Sequence, residues 1–114
     1  FGKTERNKLM WEEGGTIYVY LCYGIHEMFN IVSGKRDEVG AVLIRGTKSA
    51  KGPGLLTKKF KINRQLNGEK IINNNKIWLE NNSEKINIKK ETRIGINFAE
   101  NKDKNALLRF IKLN

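Results

Sequence analysis

The longest apolar run of this chain lies in its first half, while lysine, asparagine and isoleucine dominate the second half. From Ile17 to Tyr23 both parities are apolar or aromatic: Ile17, Val19, Leu21 and Tyr23 alternate with Tyr18, Tyr20 and Cys22. That pattern predicts a strand covered on both sides. Tyr23-Gly24-Ile25-His26 breaks the run, glycine supplying the positive φ of a tight reversal, and Met28, Phe29, Ile31 and Val32 resume it, so a hairpin is expected. Residues 1–14 read as an irregular leader around Met10-Trp11, Gly34 to Glu38 as a charged turn, and Ala41 to Arg45 as a short strand. Leu55, Leu56, Phe60 and Ile62 recur at nearly helical spacing with Thr57, Lys58, Lys59 and Lys61 between them. A short helix from about Gly54 to Phe60 follows, after a loop holding the only proline, Pro53, with its N-terminus open to an anion. Asn67-Gly68 and Asn73 to Asn75 mark breaks, and three more strands are predicted at Lys76 to Glu80, Thr92 to Phe98 and Ala106 to Leu113. The expected fold is α+β and strand-rich: a curved antiparallel sheet or partly open barrel with a β-hairpin and one or two short helices, in a single domain over 1–114.

At 114 residues the chain has room for one modest core, burying roughly two thirds of its unfolded surface. Its 22 Lys and Arg outnumber 12 Asp and Glu, a net charge of +10. That excess suits a polyanion, either nucleic acid or an anionic membrane, with a merely solvated basic surface as the plain alternative. The apolar runs are far shorter than the ~18 residues of a membrane span, and the first residues carry no signal-peptide pattern. An intracellular protein is expected. Cys22 and His26 are the sole cysteine and histidine; neither a disulfide nor a metal site is expected from them, and Cys22 reads as a small core residue.

The predicted hairpin tip changes the picture further. Tight turns are usually built from Asn, Asp, Ser or Gly, whereas this one carries Tyr23, Ile25 and His26. Such a tip leaves apolar surface in water unless a partner covers it, and in so basic a chain stacked bases are a fitting cover.

The order of the pieces resembles a known family. The blocks are Thr4-Glu-Arg-Asn7 with Met10-Trp11, Gly15-Thr-Ile-Tyr-Val-Tyr-Leu-Cys-Tyr-Gly24, Met28-Phe-Asn-Ile31 and Gly40-Ala-Val-Leu-Ile-Arg45. Gly52-Pro-Gly-Leu-Leu56 with Ile62-Asn63, Ile77-Trp-Leu79, Arg93-Ile-Gly-Ile96 and Leu108-Arg-Phe110 follow in order. Together they resemble the central and C-terminal part of the alkyladenine (3-methyladenine) DNA glycosylases, enzymes of base excision repair.

The resemblance implies a double-stranded DNA partner containing damaged purines, and a repair N-glycosylase that flips out alkylated or deaminated bases and hydrolyses the N-glycosidic bond. It implies no cofactor and no metal, a monomer, and a cytoplasmic, nucleoid-associated location if bacterial. Tyr23 matches the family's minor-groove wedge, and Ile25 and His26 its flanking contacts. Tyr20 matches the aromatic that stacks on the flipped base, Asn30 a pocket amide that can crowd the amino group of normal guanine, and Arg45 a pocket arginine. Each has a plain structural alternative: strand-end tyrosine, core packing, a hydrogen-bonded core amide, a strand-end salt bridge. Thr4, Arg6 and Asn7 match a segment along the DNA backbone, and Lys3 joins them by charge. The family's water-activating glutamate, a second pocket tyrosine and a histidine lie upstream of the first matching block, and the sequence holds no counterpart. Glu5, Glu12, Glu13 and Glu27 read as solvated charges, so no catalytic residue is assigned. A non-catalytic binding module for distorted or alkylated DNA, and an RNA-binding β domain, are the alternatives.

Overall fold

Ile17–Cys22 (β1) and His26–Val32 (β2) form an antiparallel hairpin in which Ile17 faces Ile31, Tyr18 faces Asn30, Val19 faces Phe29, Tyr20 faces Met28, Leu21 faces Glu27 and Cys22 faces His26. The computed structural model describes residues 5, 7–94 and 105–113. They fall into two units, Phe1–Glu80 and Asn81–Asn114, each with its own sheet or sheets.

Cross-strand partners share a face, so Ile17, Val19, Leu21, Phe29 and Ile31 line one side of the hairpin while Tyr18, Tyr20, Met28 and Asn30 line the other. The first side is the core of the larger unit: Ile17, Val19 and Phe29 are buried there with Ala50, Leu56, Ile62 and Ile71. Coverage on both sides is complete only over Ile17–Val19. From Tyr20 to Cys22 the strand is half-buried, and Tyr23 leaves it for the turn.

Ala41–Leu43 (β3) extends the sheet but pairs only with Asn30, Ile31 and Val32. The predicted strand to Arg45 therefore stops at Leu43, because the chain turns away into the two-residue strands Gly46–Thr47 (β4) and Ala50–Lys51 (β5). Pro53–Phe60 forms the helix α1 one residue earlier than the spacing predicts, with Pro53 in its first turn, where the missing N–H costs nothing. Lys61, at a left-handed φ of 56°, ends it. A 3₁₀ turn at Lys8–Trp11 gives the leader local order, and another spans Arg64–Leu66.

The other edge of β1 is occupied too. Ile17 N–H donates to the Glu69 carbonyl (2.8 Å), Gly68 N–H to the Ile17 carbonyl (3.0 Å) and Ile71 N–H to the Gly15 carbonyl (2.8 Å). Asn74 then overrides the strand predicted at Lys76 to Glu80: its Oδ1 accepts from the N–H groups of Lys76 (2.8 Å) and Ile77 (3.3 Å). Asparagine side chains that capture nearby backbone donors hold the chain in a bend. Ile77 still packs on the core.

Glu69 is tied into the same bend by Lys76 and Asn74, which hold its carboxyl below the usual value. A depressed folded-state pKa gives a contribution that is complete above the unfolded value, about 4.3, and is lost as pH falls through the folded one. In an NMR titration, Lys76→Met is expected to raise the Glu69 midpoint towards that unfolded value.

In the smaller unit Ile88–Glu91 (β6) pairs antiparallel with Arg109–Lys112 (β7). The strand predicted over Ala106 to Leu113 thus contracts to its second half. Thr92 to Ile94 are not strand, and the rest of the Thr92 to Phe98 prediction lies outside the described residues. β6 is mostly exposed and is fixed by ions: Glu91 pairs with Lys89 (2.7 Å) and with Arg109. Among the described residues the architecture is α+β with seven strands, all paired antiparallel, and one α-helix. Among the described residues none of the sheets closes into a barrel.

Candidate nucleic-acid interface

The hairpin ends in a turn whose two central residues, Tyr23 and Gly24, both have positive φ, 51° and 68°. Ile25 N–H closes it on the Cys22 carbonyl at 3.1 Å. Turns of this hand match the twist of the flanking strands. Glycine adopts the conformation freely, whereas a bulky L-residue there costs about 1–2 kcal/mol. The tyrosine is thus held in a strained backbone state with its ring in water: Tyr23 is 92% exposed and Ile25 74%. His26 is exposed and opens β2. It lies against Gly54 in the first turn of α1, where an added Cβ would fall 2.8 Å from His26 Nδ1.

Behind the tip, Tyr20, Asn30 and Tyr18 share the face opposite the core. Tyr18 and Tyr20 have ring centroids 5.5 Å apart at 34°. Tyr18 is buried, Tyr20 half-buried. Asn30, 6% exposed, donates from Nδ2 to the Met28 carbonyl at 3.1 Å, so this buried amide has the partner it needs. Arg45 is half-buried in the link between β3 and β4 rather than at a strand end. Asn7 precedes the Lys8–Trp11 turn, its carbonyl accepting from Met10 N–H. Lys3, Thr4 and Arg6 lie outside the described residues.

Of the four carboxylates considered as substitutes for a general base, Glu5, Glu12 and Glu13 stand in surface ion pairs, as expected of solvated charges, and Glu27 is more covered. Glu5 pairs with Lys8 (3.0 Å), Glu12 with Arg36 (2.7 Å), Glu13 with Lys70 (3.1 Å) and Glu27 with Arg64 (3.2 Å). Lys70 holds the Glu13 carboxyl below its usual value. Glu27 departs from the expectation, its side chain being 22% exposed. Among the described residues no cluster of three or more His, Cys, Asp or Glu could hold a metal, and no helix is long and apolar enough to cross a membrane.

Sequence reasoning missed the supports of this hairpin. Thr57 Oγ1 donates to the Glu27 carbonyl at 2.8 Å. Asn67 takes both backbone groups of Val19, accepting its N–H at 2.5 Å and donating to its carbonyl at 3.0 Å. Asn67-Gly68 had signalled a turn, and only the folded edge shows that the asparagine also completes a ladder. A cleft of about 290 Å³ lies between Val19, Tyr20, Leu21, Arg64 and Asn67.

The hairpin thus presents an exposed aromatic tip on a braced stem, in a chain of net charge +10. Comparison with known proteins gives the chain a family. A family model described as methylpurine-DNA glycosylase matches residues 1–51 and 46–114. A protein of Borrelia garinii subsp. bavariensis named "Putative 3-methyladenine DNA glycosylase" is 40% identical over 120 residues, covering 95% of this chain and 64% of the relative. Proteins of the same name from Psychrobacter cryohalolentis and Clostridium novyi are 36% and 35% identical, covering 96% and 95% of this chain and 62% and 66% of their own lengths. The chain belongs to the methylpurine-DNA glycosylase family. It spans just under two thirds of the length of these curated relatives.

Proposed function

We propose that this chain is the duplex-engaging part of a DNA repair glycosylase: it inserts Tyr23 into the minor groove, extrudes an alkylated or deaminated purine, and holds the base for hydrolysis of its N-glycosidic bond. The observation that carries this reading is Tyr23 itself, a ring 92% exposed on a left-handed backbone at the end of a paired stem. Strain of that kind persists where the surrounding structure enforces it, and it clusters at working sites. Flipping a nucleotide costs a few kcal/mol, and a ring that fills the vacated space offsets part of that cost.

Tyr20 stacks on the extruded base in this reading. An alkylated purine carries positive charge, and a cation over an aromatic face gains up to about 2 kcal/mol when desolvated, so stacking selects the lesion. Asn30 crowds the amino group of an undamaged guanine, Arg45 bonds the phosphate or the catalytic apparatus, and Ile25 and His26 contact the flanking groove. Asn7, with Lys3, Thr4 and Arg6, follows the phosphate backbone, where such groups fix register without reading sequence.

With Glu5, Glu12, Glu13 and Glu27 all ion-paired, the water-activating carboxylate is assigned to none of them. The second reading is a module that recognises damaged DNA without cutting it. One experiment separates the two. The chain is incubated with duplex containing hypoxanthine or ethenoadenine and the products are treated with alkali. Strand scission at the lesion marks base release and catalysis, whereas lesion-selective binding with intact strands assigns the chain to recognition alone. Intact strands together with equal affinity for damaged and undamaged duplex would overturn both.

A further inference from the structure

The distal hairpin has only two strands, yet the segment from α1 to the Arg64–Leu66 turn grips it from both sides. β3 ends opposite Asn30, so Tyr20–Cys22 and His26–Met28 lack a third strand on the β2 side, and a two-stranded ribbon alone is marginal in water. On that side Thr57 bonds the Glu27 carbonyl and Gly54 lies against His26. On the β1 side the Asn67 amide stands in for a strand against Val19. Between these grips Arg64 Nε meets Glu27 Oε1 at 3.2 Å. Glu27 is opposite Leu21, two residues from Tyr23. Its other oxygen, Oε2, is buried without a hydrogen-bond partner among the described residues, so the guanidinium is the carboxylate's one ionic anchor there. Leu56 and Ile62, in the same segment, are buried in the core, which makes the support stiff.

We propose that Glu27 and Arg64 are positioning residues, a strut across the core face of the hairpin that fixes the angle at which Tyr23 enters a duplex. This rests on Tyr23 acting as the wedge. A misplacement near 1 Å in such a device can cost up to a hundredfold, and among the described residues the strut is the ionic tie between the distal stem and the support.

The sign of one substitution sets the strut apart from simple electrostatics. Glu27→Gln removes a negative charge from a DNA-binding chain, which by charge alone tightens binding to any duplex. Loss of the strut instead weakens insertion. The test titrates the chain into duplex containing 1,N6-ethenoadenine, whose fluorescence rises on unstacking, and into matched undamaged duplex read by anisotropy. Glu27→Gln is expected to lower the unstacking equilibrium about tenfold while affinity for undamaged duplex stays equal or rises. The reversed pair Glu27→Arg with Arg64→Glu is expected to recover unstacking to within about twofold. Normal unstacking by Glu27→Gln overturns the proposal. If that variant loses its folded circular-dichroism signal, the reversed pair decides, and a folded reversed pair that fails to unstack overturns it. Tyr23→Ala runs in parallel. Loss there with none in Glu27→Gln removes the strut and keeps the wedge; no loss in Tyr23→Ala removes the wedge, and the strut falls with it.

Discussion

Tyr23→Ala is expected to abolish most of the preference for damaged over undamaged duplex while leaving the fold intact. The ring is 92% exposed, so its removal takes almost nothing from the core, and surface changes of that sort shift stability by about 0.5 kcal/mol or less. Against a duplex the accounting differs. Stacking of an aromatic side chain with a base is worth about 1–3 kcal/mol by alanine substitution, so lesion preference should fall roughly thirtyfold at the middle of that range. Binding that depends on lysine and arginine meeting phosphate should persist with its slope against salt unchanged. Paired titrations at several salt concentrations read both quantities. A Tyr23→Ala chain that keeps its preference would show that the tip is a surface ornament and that recognition lies elsewhere.

Ile17→Ala is expected to have the largest effect on stability, about 2–5 kcal/mol. Ile17 is fully buried, at 0% exposure, among Val19, Phe29, Leu56, Ile62 and Ile71. Its N–H and carbonyl are bonded to Glu69 and Gly68, so the backbone around the new cavity cannot collapse freely. Domains of this size are stable by about 5–15 kcal/mol, and such a loss would move the urea midpoint far towards zero. Val42→Ala is the control: the residue sits on β3, 54% exposed, and should cost about 0.5 kcal/mol or less. Equal shifts for the two would mean that the core is not centred on β1.

The hairpin could be read from the chain because two local signals agree there. Apolar residues at both parities mark β1, and Gly24 marks the reversal. The helix was legible for the same reason, its spacing and Pro53 coinciding. Ile77-Trp78-Leu79 misled because a short apolar run carries no record of Asn74, whose side chain takes the N–H groups a strand would need. Ile88–Glu91 was missed for the opposite reason. Exposed on both faces over most of its length, it shows no periodicity, and Arg109, 18 residues further on, fixes its end. Glu27 and Arg64 are 37 residues apart, and nothing local tells a carboxylate that will meet a guanidinium across a hairpin from one that will face water. Tyr20, Asn30 and Tyr23 were singled out through the family motif. The structure adds that the first two share a face and the third stands clear at its end.

Under the proposed function, the left-handed backbone at Tyr23 sets fold and task in opposition. Asparagine or glycine at this turn would relax the chain by about 1 kcal/mol, and a lineage pressed only by heat would drift towards either. Each such step discards the ring. A hotter-living relative that still repairs its DNA should therefore keep an aromatic at this position and gain its extra tolerance in other parts of the molecule, as a trade between durability and work requires.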